Sequence, residues 1–207
     1  MLPYRKSIIV VLVLLSVQMT NSAVLIAGAP TEQVRLTADK VLTVLQDSRL
    51  KPADKETERR EQVRQLIAAR FDFSEMAKRS LGANWQRVSS EEQGRFVRLF
   101  AELLEKSYAD QIESYDGEKI LYGRENVAQD QAEVDTKIVT KKGEQIPVNY
   151  KLRAAGGDWK VYDVVIENIS RVNNFRSQFS RILANASFGE LLKKLESKSP
   201  EVKGVRS

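Results

Sequence analysis

The chain has 207 residues, 42% hydrophobic and 29% charged, which suits one folded domain with a real core and not two. It contains no Cys and no His, so disulfides, ordinary zinc sites, thiol nucleophiles and Ser-His-Asp catalysis are excluded, together with the usual general base near neutral pH. The formal net charge of +5 is too small to point to nucleic acid, and two contributors, Arg5 and Lys6, lie in a segment expected to be removed.

That segment opens the chain. Arg5 and Lys6 precede an apolar run from Ile8 to Val17, broken only by Ser16, after which Gln18, Thr20 and Asn21 turn polar. This is the layout of a secretory signal peptide, and the run is too short to span a bilayer comfortably. Ala27-Gly28-Ala29 matches an A-x-A cleavage site, although Pro30 follows it directly, and cleavage between Ala23 and Ala27 is equally arguable. A retained anchor that includes Val24 to Ala27 is the other reading. The expected division is 1–29 signal peptide, 30–198 a single domain and 199–207 a flexible tail.

Glu32 to Leu50 is predicted to be an amphipathic helix, with Val34, Ala38, Val41, Leu42 and Leu45 on one face and Pro52 as its stop. Asp54 is placed to cap a second helix running to about Arg70, whose stripe is Val63, Leu66 and Ile67. Ser74 to Leu81 forms a short helix stopped by Gly82. Ser89 begins a long helix through the capping box Ser89-x-x-Glu92. Its inward face is Phe96, Leu99, Phe100, Leu103, Leu104, Tyr108, Ile112 and Tyr115, and Asp116-Gly117 ends it.

The periodicity then changes to two. Ile120 to Glu125, Ala132 to Thr140, Gln145 to Arg153 and Trp159 to Ile166 read as four strands. Turns at Lys141-Lys142-Gly143 and Ala155-Gly156-Gly157-Asp158 make neighbouring strands antiparallel hairpins. Pro147 cannot donate to a ladder, so the third strand is expected at an edge or bulged there. The fourth strand is apolar on both sides, so it is covered twice or lines an interior space once. Ser170 to Ala184 returns to helix, with Val172, Phe175, Phe179, Ile182 and Leu183 on one face, and Ser187-x-x-Glu190 caps a last helix holding Leu191, Leu192 and Leu195. Helices, a meander of strands, then helices predict an α+β domain with helices packed on one curved four-stranded antiparallel sheet.

No catalytic motif stands out. There is neither a P-loop nor a G-x-G-x-x-G, and Asp163 and Glu167 sit four apart at a strand end, where a salt bridge or exposure is the ordinary reading. Asp130, Glu133 and Asp135 lack the loop spacing of a calcium site, so no metal and no cofactor are expected. What remains is apolar surface. Phe100, Leu103, Leu104, Tyr108, Val148, Tyr150, Tyr162, Val164, Phe175 and Phe179 are the candidate lining of a pocket between helices and sheet. Stripes of this kind are usually plain core, and pattern alone favours that reading. Tyr150 or Tyr162 suits a pocket rim. Arg176 suits contact with a phosphate, or equally a salt bridge on the helix surface.

Four stretches together resemble a known family: FDFSEMAKRSLGANW from Phe71, FVRLFAELLEKSYADQIESY from Phe96, IPVNYKLRAAGGDWKVYDVVIENISRVNNFRSQF from Ile146, and FGELLKKLESK from Phe188. They are similar to the MlaC, or toluene-tolerance, family of periplasmic phospholipid carriers of Gram-negative bacteria. The resemblance runs from about Val34 to Lys198 and is most specific at Trp159–Val164 and Asn174–Phe179. Two residues depart from the family pattern: Asn168 stands where a glycine is expected in an E-G-x-S turn, and Arg171 where an apolar residue is usual. The resemblance implies a lipid cavity between helices and sheet, no enzyme activity, and a periplasmic shuttle that maintains outer-membrane lipid asymmetry. It also implies two partners, an outer-membrane lipoprotein–porin complex and an inner-membrane ABC transporter complex whose membrane-anchored substrate-binding component exchanges lipid with the carrier. A carrier of another hydrophobic molecule, such as a terpenoid or sterol-like lipid, is the alternative, and an enzyme or assembly factor with a solid core is a third reading, the missing His and Cys arguing against the enzyme.

Overall fold

The computed structural model describes residues 29–198, without the side chains of Asp110, Gln111, Glu113 and Lys198. The expected signal segment up to residue 28, the retained-anchor reading and the expected tail all lie outside the described residues. No helix among the described residues is long and apolar enough to cross a membrane.

Helix α1 spans Pro30–Gln46, shorter than the 32–50 predicted at its far end. Pro30 occupies the first turn, where its missing N–H costs nothing. Asp47 stops the helix by accepting from the Arg49 amide, which folds Ser48–Leu50 into a 3-10 turn. Asp54 does not cap the next helix: it lies in a second 3-10 turn, Ala53–Lys55, and α2 (Glu56–Arg70) begins after it with no side-chain cap. Helix α3 (Phe73–Leu81) is capped by Asp72, which accepts from the Glu75 amide, and it ends at Gly82 with φ +56°. After a 3-10 segment that includes Trp85, α4 (Ser90–Glu113) opens on the expected capping box: the Glu92 amide donates to Ser89 Oγ at 3.2 Å, and the Ser89 amide donates to Glu92 Oε2 at 2.9 Å.

Strands β1 (Lys119–Ala128), β2 (Gln131–Val139), β3 (Gln145–Ala155), β4 (Asp158–Ile166) and a two-residue β5 (Ile169–Ser170) form one antiparallel sheet in that order. The fifth strand was not predicted. It exists because Glu167 and Asn168 turn the chain back with φ of +50° and +64°. Asn tolerates the left-handed region better than most residues, so the turn closes without glycine.

The expectation for Pro147 needs correction. Strand β3 is interior, with β2 on one side and β4 on the other, and it carries no bulge at the proline. Pairing with β4 begins only at Val148↔Ile166, and the Pro147 carbonyl accepts from the Glu167 amide at 3.0 Å. The N–H and C=O of a strand residue point to the same neighbour. The missing donor of Pro147 therefore faces the turn beyond the end of β4, where no ladder partner stands. The irregularity lies further along, where Val161 and Asp163 flank an extra residue, Tyr162, opposite Lys151 and Leu152.

Helices α5 (Arg171–Leu183) and α6 (Phe188–Lys198) complete the fold. Apolar packing falls into two clusters. One joins α3, α4, α5 and α6 through residues such as Met76, Phe96, Phe100, Phe179 and Leu191, and takes in Tyr162 from β4. The other joins Val34 of α1 to Ala132, Val134, Leu152, Trp159 and Val161 on one face of the sheet. Polar clamps tie the helices to the sheet. The Asp72 amide donates to the Val161 carbonyl at 2.8 Å, and Arg153 Nε donates to Asp72 Oδ2 at 2.8 Å. The Arg70 guanidinium donates to Gln33 Oε1 and to the Trp159 carbonyl, which joins α2 to α1 and β4, and burial pushes its pKa down.

Candidate functional site

A cavity of about 470 Å³ opens between α4, α5 and α6. Helix α4 supplies Leu103, Ser107 and Tyr108, spaced so that they share a face. Helix α5 supplies Arg171, Phe175, Gln178, Phe179 and Ile182, again one face at three-four spacing. Helix α6 adds Leu191, Lys194, Leu195 and Ser197. The volume lies within the range of roughly 300–1,000 Å³ usual for small-molecule pockets.

The wall behind it is an aromatic lattice. Phe100 meets Phe175 edge-on with centroids 5.2 Å apart, and meets Phe179 at 5.8 Å. Phe96 stacks on Phe100 at 5.7 Å and meets Phe179 edge-on at 5.5 Å. Offset and edge-on pairs of this kind are the favoured aromatic geometries, so the wall is stiff. Among the polar lining residues, Arg171 stands against the aromatic ring of Tyr108. Its guanidinium carbon lies 5.8 Å from the centroid of the Tyr108 ring, and its Nε is buried with no hydrogen-bond partner.

A second depression, of about 370 Å³, lies along the other side of α5. Lys78 and Arg79 of α3, Lys151 of β3 and Arg176 of α5 surround it, with Tyr162 and Asp163 as its floor. The Arg79 guanidinium sits 4.0 Å over the Tyr162 ring and also binds Glu75 at 2.7 Å. Arg176 lies flat against Gly82, so close that a Cβ there would come within 2.9 Å of its Nε. Burial raises the Tyr162 pKa. Asp163 is 6% exposed and is not paired with Glu167: it accepts from Ser170 Oγ at 2.6 Å and from the Val172 amide at 3.1 Å, which pins the start of α5 to β4.

The predicted site residues therefore divide among four places. Leu103, Tyr108, Phe175 and Phe179 line the α4–α5–α6 cavity. Phe100 and Leu104 are buried in the helical cluster, Phe100 directly behind the aromatic wall. Val148, Tyr150 and Val164 share the sheet face that α1 covers, Val148 at 3% exposure and the other two half-buried. Tyr162 and Arg176 meet in the second depression. The α1-covered face loosens along its length, from fully buried Val134 and Leu152 to half-buried Ile138 and Ile146. Two tyrosines stand on it. Burial pushes the Tyr122 pKa up to about 12 and leaves its hydroxyl without a partner; burial also raises the Tyr150 pKa.

A search of the sequence for apolar stripes passes over Arg171, Gln178 and Lys194. The signal was present, since Arg171 and Gln178 stand four before and three after Phe175, on the same helical face. Among the described residues, no group of three or more carboxylates is arranged to hold a metal ion.

The chain is similar to known proteins. The chain is 24% identical over 173 residues to the "Intermembrane phospholipid transport system binding protein MlaC" of Haemophilus influenzae, covering 81% of each chain. It is 28% identical over 96 residues to the toluene tolerance protein ttg2D of Pseudomonas putida, covering 46% of this chain and 45% of that one. Among solved structures, it shares its fold with the phospholipid-binding protein of Ralstonia solanacearum, solved in complex with a phospholipid, at a TM-score of 0.73 and 23% identity, over 85% of this chain and 99% of that one. A family model described as "MlaC protein" matches residues 35–197, from the first helix to the last, and the chain belongs to that family.

Proposed function

We propose that the protein is a phospholipid carrier of the Gram-negative periplasm, holding lipid hydrocarbon in the α4–α5–α6 cavity and shuttling it between the two membranes. The observation that carries this reading is a cavity of about 470 Å³ whose lining combines aliphatic and aromatic side chains with polar ones, in a chain of the MlaC family. The proposed lining is Leu103, Tyr108, Phe175 and Phe179, and the face of Val148, Tyr150 and Val164 is the second surface available to acyl chains. The proposed exchange partners are an outer-membrane lipoprotein–porin complex and an inner-membrane ABC transporter complex with a membrane-anchored binding component. The outcome of the traffic is maintenance of outer-membrane lipid asymmetry. No bond is made or broken in such a task, so the protein is not an enzyme on this reading.

The physics requires such a device. Two acyl chains carry on the order of 28 methylenes, and exposing them to water costs roughly 0.8 kcal/mol each, or about 20 kcal/mol in all. A lipid does not cross an aqueous compartment unaided against that barrier. A methylene fills about the room of one liquid water, roughly 30 Å³. The cavity therefore admits about fifteen methylenes, one tail and not two. Full loading requires the helices to part, or the second tail to lie against the half-buried end of the sheet face.

Mass spectrometry of the intact protein, purified from the periplasm under non-denaturing conditions, tests the reading. The expected result is one diacyl phospholipid per chain. A chain that carries no lipid, or carries a terpenoid or sterol-like lipid instead, overturns it.

A further inference from the structure

We infer that the cavity selects an anionic amphiphile, with Arg171 seating a phosphate-type group inside it; this rests on the carrier reading and adds the class of cargo. Arg171 belongs to the first turn of α5 and lines the cavity together with Tyr108, Phe175 and Lys194. Its Nε is buried and donates to nothing among the described residues. A buried guanidinium N–H without an acceptor is costly, because the group has given up water for no replacement. Tyr108 offers only the face of its ring, with the guanidinium carbon 5.8 Å from the centroid. That contact leaves the planar donor fork open.

The rest of the lining has no anion to offer. Among the described residues that form the cavity there are two cations, Arg171 and Lys194, and no carboxylate. The Ser107 hydroxyl already donates to the Leu103 carbonyl at 2.7 Å. A phosphodiester supplies what is missing, since its oxygens match the guanidinium fork and the resulting hydrogen bonds are charge-assisted. Burial of the Arg171 Nε away from water strengthens the bond it makes. The hydrocarbon then runs toward Ile182, eleven residues further along α5, or about 16 Å at 1.5 Å per residue. A neutral glyceride leaves the Arg171 Nε as it stands, unpaired. A zwitterionic headgroup satisfies Arg171 but brings its ammonium near Lys194.

The test is competitive loading. The delipidated full chain is incubated with vesicles holding equal amounts of phosphatidylglycerol, phosphatidylcholine and diacylglycerol with identical chains, and the bound lipid is extracted and weighed by mass spectrometry. Wild type is expected to favour phosphatidylglycerol over diacylglycerol by about tenfold, equivalent to about 1.4 kcal/mol, and over phosphatidylcholine by a few-fold. Arg171→Leu is expected to bring the first ratio close to one while total lipid per chain is kept. Arg171→Lys retains part of the preference, and Lys194→Gln narrows the second ratio. Circular dichroism checks the fold of each variant, and Arg171→Gln carries the same expectation if Arg171→Leu does not fold. Lipid uptake by wild type with no preference, or a preference that survives Arg171→Leu and Arg171→Gln, overturns the inference and leaves the carrier reading standing. Failure of wild type to take up any diacyl lipid brings down both. Excess inorganic phosphate, which offers the anion without a tail, is expected to leave the ratios unchanged; loss of the preference under phosphate assigns the site to a free anion and overturns the inference.

Discussion

Replacing Asp163 by Ala attacks the joint between the sheet and α5, the helix that supplies the largest share of the cavity lining. The carboxylate is 6% exposed and accepts two hydrogen bonds, from Ser170 Oγ at 2.6 Å and from the Val172 amide at 3.1 Å. Hydrogen bonds to a charged group contribute roughly 1.5–3 kcal/mol each, and the Val172 amide is left buried and unpaired once the acceptor is gone. Against this stands the relief of a buried charge, which offsets part of the loss. The net expectation is a destabilisation of about 3 kcal/mol. In a domain of 150–250 residues each kcal/mol lowers the melting temperature by about 2–4 °C, so the shift is roughly 6–12 °C. Ser170 couples to the same joint, because its hydroxyl also accepts from the Asn173 amide at 3.0 Å. Ser170→Ala in the Asp163→Ala background is therefore expected to cost less than Ser170→Ala alone, by about 1 kcal/mol. Calorimetric melting of the four proteins measures this, and hydrogen exchange at the Val172 and Asn173 amides localises it. A melting temperature within about 2 °C of wild type, or strictly additive variants, refutes the assignment of Asp163 as the clamp of α5.

Leu103→Trp fills the cavity from α4 and is expected to cut bound lipid per chain several-fold with little change in melting temperature; a severe loss of stability instead means that the site is packed core. Gly82→Ala is expected to cost about 1–3 kcal/mol, because φ +56° with ψ −129° strains any residue with a Cβ. Adding Arg176→Ala is expected not to recover it, since the long side chain can move while the backbone cannot; recovery in a denaturant titration points to collision as the cause. The pH dependence follows from depressed carboxylates. Arg64 holds Glu61 at about 2, down from its ordinary 4.5, Arg49 holds Asp47 at about 2, and the capping-box hydrogen bonds of Ser89 and Ser187 lower Glu92 and Glu190. A carboxylate depressed on folding contributes in full above its unfolded pKa and loses that contribution as pH falls through its folded value. Stability is expected to hold above pH 5 and to decline from about pH 4.5 toward pH 2; a thermal-melting profile flat across that window contradicts the reasoning.

The elements that sequence announced correctly are those whose cause is local. Ser89 with Glu92 and Ser187 with Glu190 make their boxes within one helical turn, so three-residue spacing is enough to find them. Alternation marked β2 and β3, because one face of each is driven inward. The errors arose where the cause is tertiary. Pro147 sits in an interior strand only because β4 ends one residue short of it, and nothing near Pro147 in sequence encodes the length of β4. Asp54 has the chemistry of a cap, but Pro52 and the following 3-10 turn place it a turn too early. The candidate site was legible as a list of apolar residues and illegible as a place. The faces of α4 and α5 were both read correctly, but which residues of each face a gap between helices depends on how α6 docks. Phe100 and Phe175 follow the same helical pattern; one lies behind the wall and the other lines it.

The division of the core into two clusters bears on how such a protein loads and releases cargo. The helical cluster and the sheet cluster share no fully buried residue; half-buried Phe71 packs against both, and polar clamps join them elsewhere, Asp163 with α5 and Asp72 with Val161 and Arg153. A hydrogen-bonded clamp fixes position at a point and leaves the rest of an interface free to part, whereas interdigitated apolar packing resists separation everywhere along its length. On the carrier reading, with room for about one tail in the cavity, a two-tailed lipid is accommodated if α4, α5 and α6 shift or if its second tail lies against the half-buried end of the sheet face. The aromatic wall stiffens the α4–α5 contact, while Phe96 against Phe188 and an Arg95–Glu196 ion pair tie α4 to α6. On the carrier reading, parting of the helical layer from the sheet exposes apolar surface of both clusters together, so the empty state closes on itself and the loaded state is held apart by the cargo.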